Sequence, residues 1–324
     1  MNLKGPNLIR FVKDWSLPIA MIVGVMSYFA FRWCHFSTEV REFANDFVSI
    51  VQPVLLFVML YLSFCKINPK EIRIKKWHIW LALIQAVSFT LLALLVPIFN
   101  TETTTIILEC AMCCMICPTA TAAVVIVDKL EGNKLTLVAY TILSNAVTSI
   151  LVPLIVPIVN PSIGMNFLHS FFIIIKQVFP LLVLPFVLAW LTRIFAPNFL
   201  AMLLKVKDLA FYLWLIALPL ALAVTTRALV HSNVSLACFI GMSIVTAFCC
   251  LLQFYLGKTV ATQSGDRISG GQALGQKSTV FMIWMGATFL NPVTAVAGGL
   301  YSICHNSVNS YQLYKKRREK ERFN

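Results

Sequence analysis

Charged side chains are scarce in this sequence. Asp, Glu, Lys and Arg make up 12% of its 324 residues, and only 13 residues are acidic, whereas soluble domains carry about 25% charged residues. Apolar residues reach 59%, with a mean hydropathy of +0.82. This composition excludes a water-soluble globular protein and predicts a chain embedded in a lipid bilayer.

Catalytic signatures are also missing. The chain contains no HExxH zinc motif, no GxSxG nucleophile elbow and no P-loop. Paired acids, a nucleophile with its base, and metal-ligand spacings do not occur at a common depth. We therefore predict that the protein is not an enzyme and binds no cofactor.

Ten cysteines raise two alternatives, because four of them share one helical face: Cys110, Cys113, Cys114 and Cys117. They could form a thiolate metal site, or they could serve as small residues that let helices pack closely. A metal site would need deprotonated sulfurs and polar partners within apolar surroundings, so packing is favoured and no metal is predicted.

Ten apolar segments are long enough to cross a hydrocarbon core, which requires roughly 20 helical residues. They fall near residues 15–33, 47–65, 77–98, 106–127, 136–158, 169–195, 209–229, 235–256, 269–289 and 293–314. The polar connections between them are too short to fold as separate domains. The sequence thus predicts an all-α polytopic membrane protein with ten transmembrane helices.

The 26 basic residues are distributed unevenly between the predicted loops. With the N-terminus inside, 21 of them fall in cytoplasmic segments and three on the other side, while Lys176 and Lys277 lie within spans. Since Lys and Arg in short loops stay in the cytoplasm, both termini are predicted to be cytoplasmic. Topology accounts for the net charge of +13, so no nucleic-acid partner is expected.

The number of spans predicts an inverted repeat. Ten spans divide into two sets of five, residues 1–160 and 161–324, and an odd number per set places the second set upside down. In such architectures, interrupted helices at corresponding positions of the two halves meet near the membrane midplane.

Both the fourth and the ninth spans contain residues that interrupt a helix. Pro118 breaks the fourth span ten residues before Asp128, and Gly275 stands beside Lys277, which follows Arg267 by ten residues. Ten residues correspond to about 15 Å of helix, or roughly half the bilayer core. The two breaks are therefore predicted at matching depth.

The sequence around these breaks resembles the bile acid:sodium symporter family. CPTATAAVVIVDKLEGN, residues 117–133, is similar to its fourth-span signature, and GQALGQKSTVF with NPVTAVAGGLYSICHNSVNS, from 271–310, is similar to its ninth-to-tenth-span region. The resemblance implies a core bundle of spans 3–5 and 8–10 around two crossing broken helices, with a panel of spans 1, 2, 6 and 7. It also implies transport of organic anions by alternating access, driven by two sodium ions near the crossing.

The chain departs from the family at positions that hold sodium. A Ser-Asn pair in the fourth span is replaced by Ala123 and Val124, and of two hydroxyls in the fifth span only Thr141 remains, because the other position is Leu137. A hard cation needs several oxygen ligands. These changes predict that sodium does not bind as it does in the family.

Lys277 offers a replacement for the sodium ions. The family's acidic ligand in the ninth span is Gln272 here, and Lys277 follows the retained Gln276. Two sodium ions and a glutamate sum to the same charge as one lysine and a glutamine. We expect the Lys277 ammonium to bond to Gln272, Gln276, Gln85, Thr141 and carbonyls freed at the broken helix; alternatively, it reaches toward water.

Several polar residues near the breaks are candidate substrate contacts. They are Thr119 and Thr121 in the fourth span, Ser278 beside Lys277, and His305 and Asn306 in the tenth span. The threonine hydroxyls could equally bond their own helices. Lys176 in the sixth span either lines the crevice or extends toward the membrane surface.

The sequence thus predicts a secondary transporter for a small organic anion, independent of sodium and with Lys277 at the crossing. The alternatives are a sodium- or proton-coupled symporter of the same fold and a membrane sensor or scaffold that does not transport. Compact loops and the lack of a targeting extension or cleavable signal favour the bacterial inner membrane, a plasma membrane. The oligomeric state stays open.

Overall fold

Helices form the body of the molecule. The computed structural model describes residues 16–34, 36–99, 101–160, 166–206, 209–232 and 234–323. These ranges contain thirteen α-helices and two short 3-10 turns, Pro69–Glu71 and Pro292–Ala295. The α-helices are α1 (Ser16–Trp33), α2 (Thr38–Cys65), α3 (Lys76–Leu95), α4 (Glu102–Ile116), α5 (Ala123–Lys129), α6 (Lys134–Val159), α7 (Phe167–Phe195), α8 (Pro197–Lys205), α9 (Leu209–His231), α10 (Leu236–Thr262), α11 (Arg267–Gly275), α12 (Thr279–Phe289) and α13 (Val296–Phe323).

Two predicted features lie outside the described residues. The basic N-terminal segment with Lys4, Arg10 and Lys13 precedes residue 16, and the predicted junction between the two halves falls within residues 161–165. Lys207, one of the 21 basic residues predicted to be cytoplasmic, also lies outside the described residues.

Among the described residues, six helices are long and apolar enough to cross a membrane, which fits an all-α membrane protein. They are α2, α3, α6, α7, α10 and residues 212–231 of α9. The expectation of ten membrane helices does not match the thirteen helices found. The helix count rises because the predicted fourth and ninth spans are each divided in two and because α8 forms a separate short helix after Ala196.

The outer surface of the long helices is apolar, as a lipid environment requires. Helix α10 presents one such face, whose side chains recur at helical spacing and are 49–66% exposed: Ile240, Ile244, Phe248, Leu251 and Tyr255. The opposite face of α10 is buried and includes small and polar residues such as Thr246, Gln253 and Gly257. The Thr246 and Gln253 side chains therefore face the protein interior, where partners can satisfy them.

The helices pack in two groups. Helices α1, α2, α7 and α9 contact one another, and helices α3–α6 and α10–α13 pack around the two interrupted segments. Contacts between the groups run through α6 with α7, α9 with α12 and α13, and α2 with α12. The interrupted segments therefore lie within the second group.

Polar contacts tie together one end of this second group. Asp266, in the turn between α10 and α11, accepts hydrogen bonds from Lys75 Nζ at 2.5 Å and from Trp77 Nε1 at 3.0 Å. Lys316 of α13 pairs with Glu131 at 2.6 Å, and this hydrogen bond raises the pKa of the lysine. These bonds hold the ends of α3, α5, α11 and α13 at the same side of the membrane.

Candidate functional site at the crossing of two interrupted helices

Both predicted breaks are present in the backbone. Helix α4 ends at Ile116 and α5 begins at Ala123, so Pro118 lies in a non-helical connection. Helix α11 ends at Gly275, and the chain is extended at Gln276 before α12 begins at Thr279. Each break leaves carbonyl groups at one helix end and amide groups at the next without partners in their own helix.

The two connections lie side by side, and hydrogen bonds between them satisfy some of these carbonyl and amide groups. They run antiparallel, with Thr119 opposite Lys277. The amide of Ala120 donates to the carbonyl oxygen of Gln276, and the amide of Ser278 donates to that of Pro118, both at 2.8 Å. The two segments thereby form a miniature two-stranded ladder inside a helical protein.

Side-chain packing fixes the position of this ladder. The Thr119 hydroxyl donates to the carbonyl oxygen of Ala273 at 2.6 Å, which joins the first connection to the end of α11. A Cβ atom at Gly275 would lie 2.4 Å from the Phe254 ring, so glycine lets α11 end in close contact with α10. The glycine at position 275 therefore allows α11 to approach α10 closely, in addition to ending the helix.

Lys277 is completely buried at this crossing, with an exposed fraction of 0%. Its ammonium nitrogen lies 3.2 Å from the carbonyl oxygen of Met115, in the last turn of α4. The C-terminal end of a helix carries partial negative charge, which favours a cation. The lysine charge is therefore placed where the end of α4 stabilises it.

The other residues expected to surround Lys277 bond elsewhere. Gln85 donates to the carbonyl oxygen of Ile116 at 2.7 Å, and Thr141 bonds to Leu137 of its own helix. Gln272 donates to Asn309 at 2.8 Å. Gln85 therefore supports the neighbouring carbonyl of Ile116, whereas Thr141 and Gln272 find partners away from the ammonium.

Sequence reasoning missed several residues that hold the broken ends. Tyr140 and Ser144 on α6 donate to Oε1 of Gln85 at 3.0 and 2.9 Å, and Thr148 donates to the Ile116 carbonyl at 2.8 Å. Tyr140, Ser144 and Thr148 recur every four residues and share one face of α6, and that spacing is the signal that could have identified them.

A second glutamine supports the crossing from the opposite side. The amide nitrogen of Gln253 on α10 lies 3.1 Å from both the carbonyl of Cys114 and the hydroxyl of Tyr301. Tyr301 in turn donates to the carbonyl oxygen of Gly275 at 2.9 Å. Gln253 stands alone in an apolar run, as Gln85 does, and that feature could have identified it from sequence.

The predicted substrate contacts divide by burial. Thr119 is buried and bonded to Ala273, whereas Thr121 and Ser278, which precede α5 and α12, are half-buried. His305 is 5% exposed and packs edge-on against Tyr301. Asn306 is half-buried and donates to Ser302 of its own helix. The structure thus brings Thr121 and Ser278 to the crossing with part of their surface accessible.

The cysteine face of α4 packs inside the protein. Cys110, Cys113, Cys114 and Cys117 are all buried. The sulfur atoms of Cys110 and Cys114 lie 4.0 Å from the Thr294 carbonyl and 3.9 Å from the Thr246 hydroxyl. Within the described ranges, no group of three His, Cys, Asp or Glu side chains is arranged to hold a metal ion.

No protein-family model and no curated protein sequence matches this chain.

Proposed function

We propose that the protein is a secondary transporter that moves a small organic anion by alternating access, with Lys277 as a built-in cation in place of sodium. The observation that carries this proposal is the complete burial of Lys277 where two interrupted helices cross. Ionisable side chains inside a membrane protein are costly, and they mark ion or substrate pathways.

Interrupted helices support the same reading. Backbone groups freed from a helix inside the membrane must find partners, and such breaks occur where they serve a cavity or a bound ion. Paired breaks at one depth are typical of secondary transporters built from inverted repeats. Here the broken ends surround a lysine ammonium, so the cation belongs to the chain itself.

Ten crossings of the membrane follow if each interrupted pair counts as one. In this scheme α4 with α5 and α11 with α12 form the fourth and ninth crossings, and α8 is an interfacial segment between α7 and α9. Helices α1, α2, α7 and α9 then form the panel and the remaining helices the core. This assignment keeps residues 1–160 and 161–324 as inverted halves.

Substrate recognition is assigned to the accessible residues of the crossing. Lys277 is buried, so its charge acts on an anion through the crossing rather than by direct contact. Ser278 retains accessible surface at the start of α12, where partial positive charge favours an anion, and Thr121 retains accessible surface in the connection before α5. Either hydroxyl can donate a hydrogen bond to an organic carboxylate.

The membrane and orientation follow from charge. The basic end of α13, with Lys315, Lys316, Arg317 and Arg318, lies on the side assigned to the cytoplasm. We assign the protein to the plasma membrane of a bacterium, with both termini inside.

Complete burial of Lys277 also favours a second candidate. A membrane sensor or scaffold would keep the crossing closed and use it for stability or signalling. Such a protein would bind an anion, or none, without moving it across the bilayer.

Uptake into proteoliposomes tests the transport proposal. Radiolabelled mono- and dicarboxylates and a steroid carboxylate would serve as probes, with equal ionic strength in NaCl and KCl. We expect saturable uptake of one class at equal rates in both salts, and its loss in Lys277→Met, because that change removes the only charge at the ladder while retaining a similar length.

Lys176→Met is the matched control, since Lys176 also lies within an apolar helix but is exposed. It should retain most of the uptake. An anion that stabilises the protein but is never transported would favour the sensor, and uptake that requires sodium would overturn the role given to Lys277.

A further inference from the structure

A stripe of polar side chains runs along one face of α13. Tyr301, His305, Asn309 and Gln312 recur at intervals of four, four and three residues, so they lie on the same face of the helix. The first three are buried, and Gln312 is half-buried. We call this stripe, together with Gln272 and Gln276, the polar seam.

Gln272 of α11 faces this stripe, and Gln276 follows four residues later in the connection after α11. Gln272 is fully buried, and its amide nitrogen lies 2.8 Å from Asn309 Oδ1 and 3.5 Å from Gln312 Oε1. Gln276 is 3% exposed and belongs to the connection that carries Lys277. The seam therefore extends from α13 to the crossing.

Every residue of the polar seam except Tyr301 has a buried polar atom with no protein partner. The atoms are Gln272 Oε1, Gln276 Oε1, His305 Nδ1, Asn309 Nδ2 and Gln312 Nε2. Buried polar groups in proteins are nearly always hydrogen-bonded, and a cluster of unpaired ones requires an explanation. The requirement is stricter in a membrane, where bulk water does not reach the apolar core.

The unpaired atoms belong to groups that both donate and accept. Four are on side-chain amides, each of which carries an accepting oxygen and a donating nitrogen, and the fifth is a ring nitrogen of His305. A cation would satisfy only the oxygens, and an anion only the nitrogens. Water both donates and accepts, and buried water commonly forms about three hydrogen bonds with such groups.

One end of the seam lies near the basic end of α13, and the other lies beside the crossing. Gln312 lies three residues before Lys315, where the basic part of α13 begins. At the other end the Tyr301 hydroxyl donates to the Gly275 carbonyl at 2.9 Å, beside the crossing. The eleven residues between Gln312 and Tyr301 correspond to about 16 Å of helix.

We propose that the polar seam holds a chain of water molecules that connects the basic side of the membrane with the crossing at Lys277. This chain would let the crossing exchange water with one side without separating the two helix groups. Its use during transport rests on the function proposed above, whereas the presence of water does not.

Thiol labelling in nanodiscs tests the proposal on the full-length protein. Asn309→Cys and its control Ser310→Cys would be made in a background where the exposed Cys34 and half-buried Cys304 are serine. Ser310 is exposed on another face of α13 and one residue nearer the basic end. A small, uncharged thiol reagent such as methyl methanethiosulfonate should modify Asn309→Cys at least about tenfold faster, because thiolates form in water and not in lipid.

A deeper pair tests whether water reaches the crossing. His305→Cys should also react faster than Ser307→Cys, which is exposed away from the seam and nearer the basic end. Equal rates within the first pair would show a dry seam, and equal rates within the second would show that water stops short of the crossing. Either result overturns the proposal, whether or not the protein transports an anion.

A measurement on the unmodified protein covers the case in which a cysteine variant does not fold. A high-resolution cryo-EM map in nanodiscs should contain water peaks within hydrogen-bond distance of the side-chain oxygens of Gln272 and Gln276. Apolar density or an empty gap at both oxygens would refute the water chain.

Discussion

Lys277 shows how one charged residue can be held inside a membrane protein without a carboxylate partner. Its hydrogen bond goes to a carbonyl at the end of α4, where the aligned peptide dipoles favour a cation. A single hydrogen bond does not replace the hydration that a buried ammonium loses. We therefore expect the lysine to lower the stability of the fold, which supports the functional role proposed for it.

Replacing Lys277 by methionine should separate stability from function. We expect Lys277→Met to unfold at the same or a higher temperature than the wild type, because a chain of similar length fills the site without a buried charge. The measurement is thermal unfolding in detergent, followed by the loss of the monodisperse peak in gel filtration.

A structural role for Lys277 would give the opposite result. If the lysine served mainly to satisfy the Met115 carbonyl, its removal would cost about 1–3 kcal/mol, and the unfolding temperature would fall. Lys176→Met provides the baseline, since its side chain is exposed and no described packing depends on it.

At the scale of elements, close contact between α10 and α11 sets the position of the ninth segment. A Cβ atom at Gly257 would lie 2.2 Å from the carbonyl oxygen of Gly270, and one at Gly270 would lie 2.5 Å from that of Gly257. Backbone atoms cannot move aside as a flexible side chain can. Two glycines therefore permit the approach of helices that places the crossing.

Gly257→Ala should consequently destabilise the protein. We expect a loss of about 1–3 kcal/mol, the usual cost of overpacking, because the added methyl group must push α10 away from α11. The change would be seen as a lower unfolding temperature and, if transport is confirmed, as reduced uptake.

Gly299→Ala is the matched control on α13. Its Cβ would meet only the end of the Leu222 side chain, at 3.3 Å, and alanine favours a helix over glycine by about 1 kcal/mol. Its stability should remain close to that of the wild type. Equal losses in the two variants would contradict the special contact assigned to Gly257.

At the scale of the whole molecule, we predict that the stability of the protein does not depend on sodium. The unfolding temperature should be the same in NaCl, KCl and choline chloride at equal ionic strength, because a ligand raises stability only if it binds the folded state. In the proposed mechanism the lysine ammonium takes the place of a bound cation, so we expect no sodium-specific increase.

Specific stabilisation by sodium would show that a cation site survives and that Lys277 does not replace it. Lys277→Met serves again as a comparison, since removal of the ammonium leaves the carbonyl end of α4 free. An increase in sodium for that variant alone would support competition between the lysine and the ion.

Much of this architecture could be inferred without coordinates. Apolar segments of membrane length follow from composition, and the breaks follow from Pro118, which cannot donate a backbone hydrogen bond, and from the glycines around Gly275. Lys277 and Gln85 stood out because polar side chains are rare within such segments. The number of helices was wrong because each predicted break divides one span into two helices and because the separate helix α8 is a local event that hydropathy does not resolve.

The sequence by itself determined that the chain belongs in a membrane, where its helices are interrupted, and that Lys277 and Gln85 lie within apolar segments. Only the tertiary structure decided which groups meet: Lys277 with Met115, Gln85 with Ile116, and Gln272 with Asn309. Spacing along one helix defines a face, but the partner of that face depends on how distant helices pack and slide against each other. The antiparallel ladder and the polar seam both arise at that level.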